Sequence, residues 1–207
     1  MSTVLDDLAR DRVLVVVRAP RIPDAAKLAE ALAAGGIRTV ELTYTTPDLT
    51  DHLRRASAVA GVHLGAGTVL NAADAEAAIE AGAEFLVTPG LRPDVAAVAR
   101  ERGVPVVMGA FTPSEVLTAL DLGAAAVKIF PAHSLGPRYL KDLRGPLPEV
   151  KLVPSGGVNA SNAAEFLGNG ALAVSAGTDV VPPQAVADGD WPEITRRARE
   201  FCAALGA

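Results

Sequence analysis

The chain holds one cysteine, and only 4% of its residues are aromatic. Cys202 has no partner for an internal disulfide, which fits a reducing, cytoplasmic compartment. Set among Phe201, Ala203 and Leu205, it reads as a small buried apolar residue rather than a nucleophile. Long hydrophobic runs are missing as well. The strongest, VLVVV at 13–17, is far shorter than the ~20 residues a bilayer-spanning helix needs. The opening MSTVLDDLARDR has no apolar stretch of the kind that marks a secretion signal, so no membrane partner is expected. Excess positive charge is absent too: the formal net charge is −5, and the pairs Arg54-Arg55 and Arg196-Arg197 fall on solvated helix faces. Nucleic-acid binding needs clustered lysine and arginine, so it is not expected. His52, His63 and His133 show no metal-ligand spacing, and no P-loop is present, so neither a metal nor a cofactor is expected.

What is present is apolar and periodic. Of 207 residues, 50% are hydrophobic, enough for one domain over 1–207 with a large core. One pattern recurs: a helix-like stretch rich in Ala, Leu and Glu, then glycine, then a short apolar run. It appears at 31–43 (ALAAGGIRTVELT), 78–90 (AIEAGAEFLVTPG), 99–110 (ARERGVPVVMGA), 119–131 (ALDLGAAAVKIFP) and 166–177 (FLGNGALAVSAG). Each glycine stands where a helix ends in a left-handed residue. Filling the gaps gives strands near 13–18, 39–43, 62–66, 84–88, 105–109, 125–130, 150–154 and 172–176. Helices are expected at 23–34, 48–60, 72–81, 93–102, 113–122, 137–144, 160–168 and near 191–205, several opening on proline and an acidic residue (Pro23-Asp24, Pro47-Asp48, Pro93-Asp94, Pro113-Ser114-Glu115). Strict alternation with near-continuous apolar strands means a parallel sheet covered by helices. Eight units favour an α/β fold of the small (β/α)8 TIM-barrel kind over a doubly wound sheet, with short loops compensating for a length below the ~250 residues typical of the class.

In such a barrel chemistry gathers at the C-terminal ends of the strands. Lys128, one of only four lysines, lies late in the wholly apolar AAAVKIFP, and strand alternation points it inward if Val127 and Ile129 face the helices. Burial disfavours an ammonium, and a neutral amine is the form that makes a Schiff base. Glu41 in TVELT shares the inward face with Thr43; it is either the acid/base group of imine chemistry or the partner of a barrel-lining arginine. Arg18 ends the first strand, placed for bidentate capture of a carboxylate or for a salt bridge to Glu41. The turns PSGGVN (154–159) and SAGTDVV (175–181) follow strands seven and eight, the usual phosphate site of barrels. There Gly156 and Gly157 admit close backbone approach, and Ser155 and Thr178 add hydroxyls. GAGTV at 65–69 lacks the third glycine of a dinucleotide fingerprint, and its Thr68 reads as a hydroxyl contact to substrate. His133, just past the sixth strand, reads as a loop residue.

ELTYTTP, GAGTVLN, TPGL, VKIFPA, LGPRYLKDLRGPLP and PSGGVN together, in this order and spacing, resemble the 2-keto-3-deoxy-6-phosphogluconate (KDPG) aldolases, including the bifunctional enzymes that cleave 4-hydroxy-2-oxoglutarate (KHG). The likeness covers nearly the whole chain. It implies a trimeric class I aldolase of sugar-acid metabolism, in the Entner-Doudoroff pathway, that needs no metal and yields pyruvate and glyceraldehyde 3-phosphate. By the resemblance, Lys128 is the Schiff-base lysine, Glu41 the acid/base and Thr68 a pyruvyl contact. Pro89 and Phe130 line the pocket, while Ser155, Gly156, Gly157, Gly177 and Thr178 bind phosphate. One departure stands out. A branch of the family carries a carboxylate-binding arginine where this chain has Thr45, which leaves Arg18 as the supplier of that charge and opens the substrate to the 6-phosphogalactonate series. Two other classes stay open on the residues alone: a phosphate-binding barrel isomerase or epimerase, and a barrel without catalysis.

Overall fold

The computed structural model describes residues 3–206. Its eight strands are β1 (Val13–Val17), β2 (Thr39–Thr43), β3 (His63–Gly67), β4 (Phe85–Val87), β5 (Val106–Ala110), β6 (Ala126–Ile129), β7 (Leu152–Pro154) and β8 (Val174–Ala176). All pair in parallel, in the order β7-β6-β5-β4-β3-β2-β1-β8. The Leu172 amide donates to the Leu152 carbonyl at 2.8 Å, drawing the start of β8 to β7 and nearly closing the barrel. Helices α1 (Val4–Asp11), α2 (Ala25–Ala34), α3 (Leu49–Ala56), α4 (Ala72–Glu80), α5 (Pro93–Arg102), α6 (Pro113–Asp121), α7 (Arg138–Arg144), α8 (Ala163–Gly168), α9 (Pro183–Asp188) and α10 (Trp191–Ala204) complete the (β/α)8 fold.

The glycines expected at helix ends, Gly36, Gly82, Gly103, Gly123 and Gly170, all have positive φ. Pro93 and Pro113 open α5 and α6 as their fixed φ allows. Pro23 and Pro47 instead lie outside their helices. Asp24 is the N-cap of α2, accepting from the Lys27 amide at 3.1 Å, and Asp48 sits left-handed at φ 56° with no capping bond. The second and seventh helical patterns are shorter than expected: α3 stops at Ala56 rather than 60, and α8 starts at Ala163 rather than 160. Cys202, on α10, is partly rather than fully buried, against Gly36.

Two apolar layers result. Outward residues such as Val15, Val40, Leu42, Leu86, Met108, Val127 and Ile129 pack under the helices. Inward Leu14, Phe85, Val87, Val107, Ala126, Val153 and Ala173 fill the barrel. Leu8 of α1 joins this inner group, so α1 plugs the N-terminal mouth. A reciprocal capping box between Thr3 and Asp6 starts α1. At the same end His63 bridges Asp7 of α1 (2.8 Å) and Glu84 ahead of β4 (2.7 Å). With the lower mouth closed, the upper one is left for a site.

Candidate active site

A cavity of about 550 Å³ opens at the C-terminal ends of the strands. Arg18, Thr68, Pro89, Lys128, Phe130, Ser155, Gly156, Gly157, Gly177 and Thr178 all line it, although they come from six strands or the turns that follow them. Glu41 lies behind this surface, wholly buried. The lining also includes Val16, Val158, Asn159, Ser175, Asp179 and Val181, none of which the strand pattern singled out.

Lys128 points inward because Val127 and Ile129 occupy the outer layer. It is 7% exposed, and its Nζ stands 3.7 Å from Oε1 of Glu41 and 5.6 Å from the centre of the Phe130 ring. At 3.7 Å the lysine and glutamate attract but do not hydrogen-bond, so neither carboxyl oxygen of Glu41 has a hydrogen-bond partner. Burial holds this carboxyl above the usual carboxylate range, with the charges of Lys128 and Arg18 pulling the other way. A buried acid without hydrogen-bond partners is costly to the fold and is concentrated at functional sites.

Glycines create the room. Glu41 pairs in register with Gly65, and a Cβ at Gly65 would overlap the Phe85 ring. At Gly67 a Cβ would overlap the carboxyl group of Glu41 itself. At Gly109, next to Lys128 in β5, it would overlap the backbone of Pro89 and Gly90. That corner is further pinned by Thr88, whose buried hydroxyl donates to the Gly90 carbonyl (2.8 Å) and accepts from the Gly109 amide (3.2 Å). Pro89 is thereby held at the cavity wall.

On the β1–β2 side, the Thr43 hydroxyl donates to the Val17 carbonyl at 3.0 Å and lies 2.8 Å from the Thr45 hydroxyl. Thr46 accepts from the Ala19 amide at 3.2 Å. These bonds fix the backbone flanking Arg18, which is exposed and forms no ion pair among the described residues; the salt bridge to Glu41 is not made. Thr68 is left-handed at φ 57°, a strained state for a β-branched residue.

Across the cavity, Gly156 and Gly157 are both left-handed, at φ 86° and 78°. The Phe130 ring lies against Gly156, and His133 against Gly157. Amides of the 3-10 turn Ala132–Ser134 tie down the same turn: Ala132 donates to Ser155 (2.7 Å) and His133 to Gly156 (3.0 Å). Asp179 accepts from the Ala160 amide at 2.8 Å, joining the turns after β7 and β8. His133 is thus a packing residue of the turn and does not line the cavity.

The model of the family described as KDPG and KHG aldolase matches residues 4–197. The 2-dehydro-3-deoxy-phosphogluconate aldolase of Treponema pallidum is 37% identical over 214 residues, covering 100% of this chain and 99% of its own. The crystal structure of the 2-keto-3-deoxy-6-phosphogluconate aldolase of Zymomonas mobilis superposes with a TM-score of 0.86 at 33% identity, over 96% of each chain. That of the Legionella pneumophila KDPG aldolase, with pyruvate captured at low pH as a covalent carbinolamine intermediate, gives 0.85 at 30% identity, over 96% of this chain and 97% of that one. A whole-chain family match on a barrel with this upper mouth has one consequence: the chain belongs to the KDPG and KHG aldolase family and is a lyase.

Proposed function

We propose that the chain is a class I aldolase cleaving 2-keto-3-deoxy-6-phosphogluconate to pyruvate and glyceraldehyde 3-phosphate, and also 4-hydroxy-2-oxoglutarate to pyruvate and glyoxylate. The observation that carries this reading is the Lys128–Glu41 pair, a lysine on the cavity wall with a wholly buried carboxyl 3.7 Å behind it. Nζ of Lys128 adds to the C2 carbonyl, and loss of water leaves an iminium. Glu41 takes the C4 hydroxyl proton, the C3–C4 bond breaks, and its electrons pass into the iminium to give an enamine. The aldehyde leaves, the same carboxyl returns its proton to C3, and hydrolysis frees pyruvate and the lysine. The carbinolamine captured in the Legionella relative supports the first step.

The other lining residues fit the two ends of such a substrate. Arg18 and Thr68 bind the carboxylate, with Pro89 and Phe130 packing the pyruvyl carbons. Ser155, Gly156, Gly157, Gly177 and Thr178 hold the phosphate. A second reading, cleavage of the 6-phosphogalactonate isomer, is favoured by Thr45, which puts no positive charge at the position where part of the family has arginine. A homotrimer is part of the proposal and rests on the resemblance to the family alone.

Pyruvate release from the two phosphorylated isomers and from hydroxyoxoglutarate, measured side by side, tests the reading. The largest kcat/KM is expected for the phosphogluconate series. Turnover of the galactonate isomer alone selects the second reading, and release from none of the three defeats both.

A further inference from the structure

Ser175 takes no part in the bond-breaking steps proposed for Lys128 and Glu41. It lies at the centre of β8, is 3% exposed, lines the cavity, and its hydroxyl has no hydrogen-bond partner. Two other buried hydroxyls around the mouth are paired: Thr43 donates to the Val17 carbonyl, and Thr88 both donates and accepts. A serine kept only for its small size would be as well replaced by alanine, which leaves no polar atom unpaired. The oxygen itself lies just beneath the cavity wall, and a turn about the Cα–Cβ bond brings it to the surface, where a bound molecule supplies the missing partner.

Its place on the wall says which part of the substrate that is. Ala173, two residues earlier on the same face, belongs to the apolar filling of the barrel, and Gly177, two residues later, belongs to the turn assigned to phosphate. Around the wall, Ser175 pairs with Leu14 of β1, while Val16, the next inward residue of β1, pairs with Glu41. Ser175 therefore stands one step above the barrel filling, below the phosphate turn, and separated from Glu41 by Val16. In a substrate whose C2 is on Lys128, whose C4 hydroxyl meets Glu41 and whose C6 phosphate sits in the turns, the polar group left between them is the C5 hydroxyl. We propose that Ser175 is a specificity-determining residue that hydrogen-bonds the C5 hydroxyl of the aldehyde half, an inference that rests on the aldolase reading above.

The test compares the wild type with Ser175→Ala on 2-keto-3-deoxy-6-phosphogluconate and on its 5-deoxy analogue, with trapping of a pyruvate adduct by borohydride as a third readout. Losing one buried hydrogen bond to substrate is expected to lower kcat/KM for the full substrate about tenfold or more. The 5-deoxy analogue is expected to be cleaved equally by both proteins, and pyruvate trapping to be unchanged, because pyruvate has no C5. An unchanged kcat/KM on the full substrate overturns the inference. So does an equal fall on both substrates, or a loss of trapping in the variant, either of which makes Ser175 a structural support. The wild-type adduct separates the two claims: if the wild type forms none, the aldolase reading fails, whereas an adduct with equal C5 discrimination in both proteins defeats only the role of Ser175.

Discussion

The absent side chain of Gly67 leaves the space that the carboxyl of Glu41 occupies. A Cβ at Gly67 would overlap Oε1, Cδ and Cγ of Glu41, the group that stands 3.7 Å from Lys128. The φ of Gly67 is not positive, so alanine is tolerated by the backbone and the cost falls on the position of the carboxyl. Gly67→Ala is expected to fold and to lose about 100-fold in kcat, the scale of a misplacement near 1 Å. In a Glu41→Ala background the same change is expected to cost nothing further. Steady-state rates for the four proteins of this cycle check the point, and additive losses would count against it.

The acid limb of the pH–rate profile follows from the surroundings of Glu41. As a base it must be ionised, and burial holds its pKa up, so the acid limb of kcat/KM lies above the ordinary carboxylate range. The positive charge of Arg18 lowers that pKa. Arg18→Leu is therefore expected to move the limb to higher pH and to lower kcat/KM by about 10- to 100-fold through the lost charged hydrogen bonds to the substrate carboxylate. A limb that stays put or moves down contradicts the assignment.

At the opposite mouth, His63 makes stability depend on pH. Burial opposes its charged form, but hydrogen bonds to Glu84 and Asp7 and their negative charges outweigh this and raise the pKa above 6.5. Both ring nitrogens face carboxylates, so only the protonated ring donates to both. A raised pKa in the folded state means the contribution is complete below pH ~6.5 and is lost as pH rises through the folded value. Against His63→Gln, the wild type is expected to lead by about 1 kcal/mol in mildly acidic buffer, or ~2–4 °C in melting temperature, with the lead shrinking in alkaline buffer. Melting curves across pH check this; a lead that grows with pH reverses the sign of the argument.

Much of this architecture is legible in the chain. Lys128 and Glu41 are polar interruptions of apolar strands, and a period of two puts such residues inward whatever their partners are. The glycines after the helices announce their ends through the backbone angle they permit. Other features depend on residues that meet only after folding. Gly67 and Gly109 are small because of a side chain and a loop on neighbouring strands, and that register is not written locally. The α1 plug hides in a charged stretch with only Val4, Leu5 and Leu8 on its apolar side; the Thr3–Asp6 spacing was its one local signal. Ser175 looks like any serine near a strand end until its missing partner is seen.

In the proposed mechanism Lys128 forms a covalent imine with the keto acid. Incubation with pyruvate and borohydride, followed by intact mass and peptide mapping, tests it directly. One reduced pyruvyl adduct, located on Lys128 and absent from Lys128→Ala, is the predicted result. No adduct on the folded protein, or an adduct on Lys27, Lys141 or Lys151 instead, would contradict it.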